Sequence, residues 1–331
     1  MKKIPHILIV FTALASVCLF SSWGTFGHEH INRAAVLALP DSMRSFFFNH
    51  IDYITQESTV PDLRKYTMLD KTETPRHYID LEKFGPIDSV PKSYAEATLK
   101  YKPEFLNEFG ILPWYIQDMM EKLTKAFKGK RKTEILFLAA DLAHYIGDAH
   151  MPLHTSINHD GQLTDQRGIH ALWESRLPEM FGSYYDYHVK SAIYIKDIQK
   201  HTWDLVLNSF KLADTVLLTD RNLRATMAKE KIFKLDEKGA IKKNKFNQNI
   251  FTDDYSEQYH EALNGMIEKQ MRAAIICTSS YWYTAWVNAG KPDLGDLDPA
   301  YVTQKNEAEL LDALRLLKYG KLTGIESEKE F

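Results

Sequence analysis

Cysteine is nearly absent from this chain of 331 residues, which has only Cys18 and Cys277. Cys18 falls in an apolar N-terminal stretch that reads as a removable leader, so a single cysteine would remain and no internal disulfide could form. A disulfide-stapled scaffold is excluded, and something else has to stabilise an exported chain of this size. Charge of one sign is also missing. With 41 Lys and Arg against 44 Asp and Glu, there is no global basic field to gather a polyanion or an anionic membrane, so an anion has to be recognised locally. After the N-terminus no apolar run is long enough to span a bilayer. Repeats, low-complexity blocks and successions of alternating strands are lacking as well.

What is present is helical patterning. Residues 28–39, ended by Pro40, and 113–128, 133–149, 198–218 and 256–288 carry apolar side chains at three- and four-residue spacing. A short amphipathic helix is expected near 305–318, and the stretches 84–94 and 234–250 read as surface loops. The hydrophobic content of 44% suffices for a sizeable core. The expected architecture is all-α, a single multi-helix domain over 23–295 that follows a signal peptide at 1–22 and precedes a peripheral C-terminal tail at 296–331. The leader reads Met1-Lys2-Lys3, an apolar stretch from Ile7 to Phe20, then Ser21-Ser22. Phe20 occupies a place where a small residue is usual, and a lipid anchor at Cys18 is the rival reading. The chain is expected to be exported, periplasmic or extracellular, and a monomer without a stable protein partner.

The unusual stretch is HYIGDAHMPLH, residues 144–154. His144 and Asp148 lie four residues apart, on one face of the 133–149 helix, and Pro152 ends that helix and turns His154 back. One such pair is more often a hydrogen-bonded core histidine with its acid. The density argues otherwise, because His144, His150, His154, His159 and His170 fall within 27 residues. His170 and Glu174 repeat the four-residue spacing, which converges an imidazole and a carboxylate as zinc ligands need. Two pairs joined by His154 could supply most of the ligands of two metals.

The segments Trp23-Gly24-Thr25-Phe26-Gly27-His28, Pro75-Arg76-His77-Tyr78-Ile79-Asp80, His144 to His154, and His170 with Glu174 occur in an order that resembles the trinuclear zinc phosphodiesterases. These comprise the zinc-dependent phospholipases C and the single-strand-specific S1/P1-type nucleases, all-α proteins. The resemblance covers roughly residues 23–290. It implies three Zn²⁺ ions: one on Asp62, His77, His144 and Asp148; a second on His154, His170 and Glu174; a third on Trp23 and His28, with Asp148 bridging the first and third. Trp23 would bind through its free amine and its carbonyl, which requires removal of the leader. Asp62 is the best upstream aspartate, ahead of Asp52 and Asp70, and would also orient or deprotonate the attacking water, so it is the catalytic candidate.

The resemblance further implies a cation that steadies the phosphate, either Lys65 or its neighbour Arg64. Tyr78 would stack on a base and Asp80 bond its edge, though a similar run occurs among the phospholipases. His150, His30 and His159 are expected beside the ligands or at the surface, and Asp160 in a turn, where it could also meet a metal-bound water. Glu174, the short interval from His154 to His170 and the missing disulfides lean towards a phospholipase C. The compact start at Trp23 and the Pro-Leu-His at 152–154 lean towards a nuclease. The substrate is thus phospholipid, by a slight preference, or single-stranded DNA and RNA. A zinc-stabilised binding protein without catalysis is a further alternative.

Overall fold

A computed structural model describes residues 24–66, 70–244, 248–297 and 304–322. The helices are α1 (Gly24–Leu37), α2 (Asp41–Phe48), α3 (Ile51–Glu57), α4 (Val60–Tyr66), α5 (Tyr94–Lys100), α6 (Pro103–Phe109), α7 (Leu112–Lys128), α8 (Lys132–His150), α9 (Ile169–Ala171), α10 (Leu177–Phe181), α11 (Ile198–Arg224), α12 (Lys229–Ile232), α13 (Asp253–Ala262), α14 (Met266–Asn288) and α15 (Gln304–Lys318). A π-helical turn, Leu172–Arg176, joins α9 to α10. Among the described residues there is no strand, only isolated antiparallel bridges such as Phe233 with Phe251. The protein is all-α, as its periodicity predicts.

Helix α8 is the axis of the fold. From Leu138 to His150 every residue is buried, which in a soluble protein places a helix inside the bundle. Its Ala139, Ala140, Ala143 and Gly147 let neighbouring helices come close. Helices α1, α3, α7, α11 and α14 pack around it. Polar side chains of those neighbours reach its backbone: Trp282 Nε1 donates to the Ala139 carbonyl at 3.0 Å, and Ser209 Oγ to that of Ala149 at 2.6 Å. Among the described residues no helix is long and apolar enough to cross a membrane.

Several expectations are adjusted. The helix expected over 256–288 is two, α13 and α14, because Asn264 and Gly265 both adopt positive φ (49° and 72°) and break the hydrogen-bond ladder. Of the loop expected over 84–94, Phe84 ends a 3₁₀ turn and Tyr94 opens α5, and the residues between form a loop with a short 3₁₀ turn at Ile87–Ser89. The C-terminal segment is less detached than a peripheral tail: α15 packs against α1, and its Ala313 and Leu317 are buried. The expected leader and Trp23 lie outside the described residues.

Candidate metal centre

Asp148, two residues before the end of α8, is wholly buried and surrounded by imidazoles. Its Oδ2 lies 3.0 Å from His77 Nδ1 and 3.3 Å from His144 Nε2, and its Oδ1 lies 3.6 Å from both His28 Nε2 and His154 Nδ1. His28 comes from α1 and stacks on His144 with ring centroids 3.9 Å apart. Asp62, in the first turn of α4, brings Oδ1 to 3.6 Å from His77 Nδ1. The helical spacing within α8 thus gathers residues far apart in sequence around one carboxylate.

A second group stands beside it. His170 Nε2 lies 3.0 Å from Glu174 Oε1 and 3.3 Å from His154 Nε2, which is 3.5 Å from Glu174 Oε2. Glu174 sits in the π-helical turn, a geometry that recurs where a helix serves a functional site. In all, the side chains form three sets whose ligand atoms lie within 4.8 Å of one another: His28, His144 and Asp148; Asp62, His77 and His144; His154, His170 and Glu174.

Ring orientation is set from behind. His144 Nδ1 meets the Ser58 carbonyl at 2.7 Å, His154 Nδ1 that of His77 at 2.8 Å, and His170 Nδ1 that of His159 at 2.9 Å. Each carbonyl can only accept, so each Nδ1 carries a proton and Nε2 is the nitrogen that faces the cluster and could bind a metal once its own proton is displaced. Asp160 accepts from the backbone N–H groups of Gly168 and His170, which fixes the loop before α9 and makes it a turn aspartate. His30 and His150 bond the Phe26 and Ile146 carbonyls of their own helices.

The electrostatics describe sites shaped for cations. Burial alone would lower the pKa of His144, yet the carboxylates of Asp148 and Asp62 raise it to about 9. His170 is likewise raised to about 9 by Glu174 against its burial. Despite burial, Glu174 is held down to about 2, chiefly by His170, and Asp148 falls well below the usual carboxylate range beside His144 and His154. Asp62 is pushed up by burial, and His28 is pushed well down by burial and by His144.

Buried polar atoms without a hydrogen-bond partner include both ring nitrogens of His28, both Asp62 oxygens, His77 Nε2 and Asp148 Oδ1. Isolated, such atoms would be costly. Gathered nitrogen and carboxylate donors of this kind fit Zn²⁺, whose preferred ligands they are. The sequence comparison agrees with these donors and decides the family: the S1/P1 nuclease family matches residues 23–276.

The chain belongs to the S1/P1 nuclease family. It is a phosphodiester hydrolase of the zinc-dependent kind. No curated protein matches this family member in sequence. Among solved structures, the alpha toxin from Clostridium absonum superposes with a TM-score of 0.43 at 11% identity, over 87% of this chain and 68% of that one.

Of the side chains expected at a nuclease-family site, the structure brings together His28, Asp62, His77, His144, Asp148, His154, His170 and Glu174. Arg64 is committed elsewhere: its guanidinium bonds Asp141 Oδ2 at 2.7 Å, Glu73 Oε2 at 3.0 Å and Tyr145 Oη at 3.2 Å. The charge of Lys65 is felt by Asp62, Tyr78 and His159. Tyr78 donates from Oη to the Glu108 carbonyl, and Asp80 is pushed up to about 6 by burial and by Glu82. The run from His77 to Asp80 is tied to the site through Ile79 N–H, which donates to the His154 carbonyl at 2.9 Å.

Sequence reasoning passed over Glu73, Asp141 and Tyr145. The signals were there, since Glu73 precedes His77 by four residues and Tyr145 adjoins His144.

Proposed function

We propose that this protein is a three-zinc nuclease and 3′-nucleotidase acting on single-stranded DNA and RNA. The observation that carries this reading is the match of the nuclease family across residues 23–276, and it reverses the slight preference for phospholipid. Asp62, His77, His144 and Asp148 would hold one ion, and His154, His170 and Glu174 a second. Trp23 and His28, with Asp148 shared, would hold the third. Zinc held by these ligands would supply charge neutralisation at the phosphate and a water whose pKa is lowered to about 7.

The chain's own groups do the rest. Asp62 would orient the attacking water and take its proton as oxygen adds to phosphorus; the ester P–O bond breaks and the leaving oxygen takes a proton from solvent. Lys65 steadies the phosphate, since its charge already reaches Asp62 and since Arg64 is held by three acceptors. Tyr78 offers a ring face for a base, a contact worth roughly 1–3 kcal/mol that does not depend on sequence. Asp80, with a pKa near 6, can donate to or accept from a base edge around neutral pH. Stacking and local cations suit a chain that has no overall basic field.

The test is to incubate the zinc-loaded protein with single-stranded DNA, with RNA and with phosphatidylcholine vesicles, following mononucleotide and diacylglycerol release. Nucleotides are the expected product. Diacylglycerol without nucleotides would restore the phospholipase C reading, and neither product from fully loaded protein would favour the zinc-stabilised binding protein.

A further inference from the structure

One imidazole of the centre is mounted the opposite way round from its neighbours. In His144, His154 and His170 the Nδ1 is tied to a backbone carbonyl and Nε2 faces the cluster. In His77 it is Nδ1 that faces inward, 3.1 Å from His144 Nε2 and 3.0 Å from Asp148 Oδ2. Its Nε2 points away from the cluster to Glu73 Oε1, 3.4 Å distant, and has no closer hydrogen-bond partner among the described residues. A histidine binds metal through a nitrogen that bears no proton, so His77 can serve as a ligand only if its proton resides on Nε2.

Glu73 is equipped to hold it there. The side chain is wholly buried, and a carboxylate left alone in that position would be expensive. Arg64 donates to its Oε2 at 3.0 Å and Arg76 at 2.7 Å, while Tyr145 Oη donates to its Oε1. Arg64 is braced in turn by Asp141, which lies three residues before His144 on α8. Two arginines keep the carboxylate charged, and a charged carboxylate accepts hydrogen bonds without competing for the metal-facing nitrogen. The same α8 that carries His144 and Asp148 also carries Asp141 and Tyr145, so ligand and support are fixed to one rigid element.

We infer that Glu73 is a positioning residue for the metal centre, and that with Arg64, Arg76, Tyr145 and Asp141 it holds His77 as the Nε2-protonated tautomer with Nδ1 presented to the ion shared with Asp62, His144 and Asp148. The inference rests on the zinc-site reading above and deepens it. Arg64, considered from sequence for phosphate contact, becomes part of the support behind a ligand.

Two measurements test it on the zinc-loaded protein. Long-range proton–nitrogen spectra of histidine-labelled protein should show His77 protonated at Nε2 and His144, His154 and His170 protonated at Nδ1. Four rings all protonated at Nδ1 would overturn the inference. Competition with a chelator should then show zinc at the Asp62–His77–His144–Asp148 position held about 10–100-fold more weakly in Glu73→Gln, the usual effect of losing a ligand's outer partner. The His154–His170–Glu174 position should keep its affinity. Tyr145→Phe, which leaves both arginine contacts in place, should show the same selective loss to a smaller extent in a protein that stays folded. Unchanged zinc affinity at both positions in folded Glu73→Gln would refute the positioning role, whereas wild-type protein that binds no zinc would refute the metal reading itself.

Discussion

The ligand group around Asp148 and the one around Glu174 use the same residue types but are mounted differently. His28, Asp62, His77, His144 and Asp148 are buried and come mostly from regular helices, α1, α4 and α8. His154, His170 and Glu174 follow the end of α8, sit on a 3₁₀ turn, a short helix and a π turn, and leave His170 partly exposed. In the first group, charge without a partner is a cost to the fold itself. In the second, His154 and Glu174 are buried too, and water reaches the set from the side of His170. The difference suggests a division of labour, with the inner ligands tied to stability and the outer ones open to exchange and to substrate.

The sharpest way to break this comparison is Asp148→Ala, since Asp148 touches ligands of both groups. Removing one partner of a buried charged set costs roughly 3–5 kcal/mol. Phosphodiesterase activity should fall by about 1,000-fold, as several kcal/mol of transition-state charge stabilisation go with the ion. Thermal unfolding and zinc content check both, and a stable, fully loaded variant would show that the carboxylate is not shared.

Stepwise chelation tests the division directly. Elemental analysis should begin at about three zinc ions per chain. The first to leave should be the His154–His170–Glu174 ion, with activity lost while Tm barely moves. Removal of the inner ions should then lower Tm, because ligand held at 1,000 times its Kd stabilises the native state by about 4 kcal/mol. Simultaneous loss of all ions with unfolding would erase the contrast, and a starting value of two would remove Trp23 and His28 from the ligand set.

A further effect comes from acid. His30 and His150 sit buried beside the inner ligands, and burial lowers both to about 4. Their native pKa lies below the unfolded value of about 6.5, so the unfolded chain binds more protons between those limits. Stability is full above about pH 6.5 and declines as pH falls towards 4, by roughly 1.4 kcal/mol per unit for each residue. Denaturant midpoints measured between pH 7 and 4.5 should decline accordingly, and His150→Gln should flatten part of the slope. A midpoint independent of pH would show that these two rings are not buried as neutral groups.

Much of the centre could be read before the fold was known, for a definite reason. His144 and Asp148, and His170 and Glu174, lie one helical turn apart, so local spacing alone converges them. The bounds of α7 and α8 were equally plain, since long apolar periodicity fixes both. Glu73 shares that spacing with His77, but the spacing alone does not show that the acid is buried. Its partner Tyr145 lies about seventy residues downstream, and the run from Lys71 to Arg76 is otherwise polar. Arg64 shows the same limit, because phosphate contact and a buried ion pair demand the same guanidinium, and only the packing of α4 on α8 separates them. The interruption between α13 and α14 depends on two consecutive left-handed residues, a backbone property that apolar spacing does not register.

Helix α1 packs on α3 and α8 and also on α14 and α15, so the first described helix is joined to the last described ones. His28 reaches His144 from α1, so the inner ligand set closes only when contacts of long sequence separation are made. Folding of this protein should be slow and governed by contacts between segments distant in sequence.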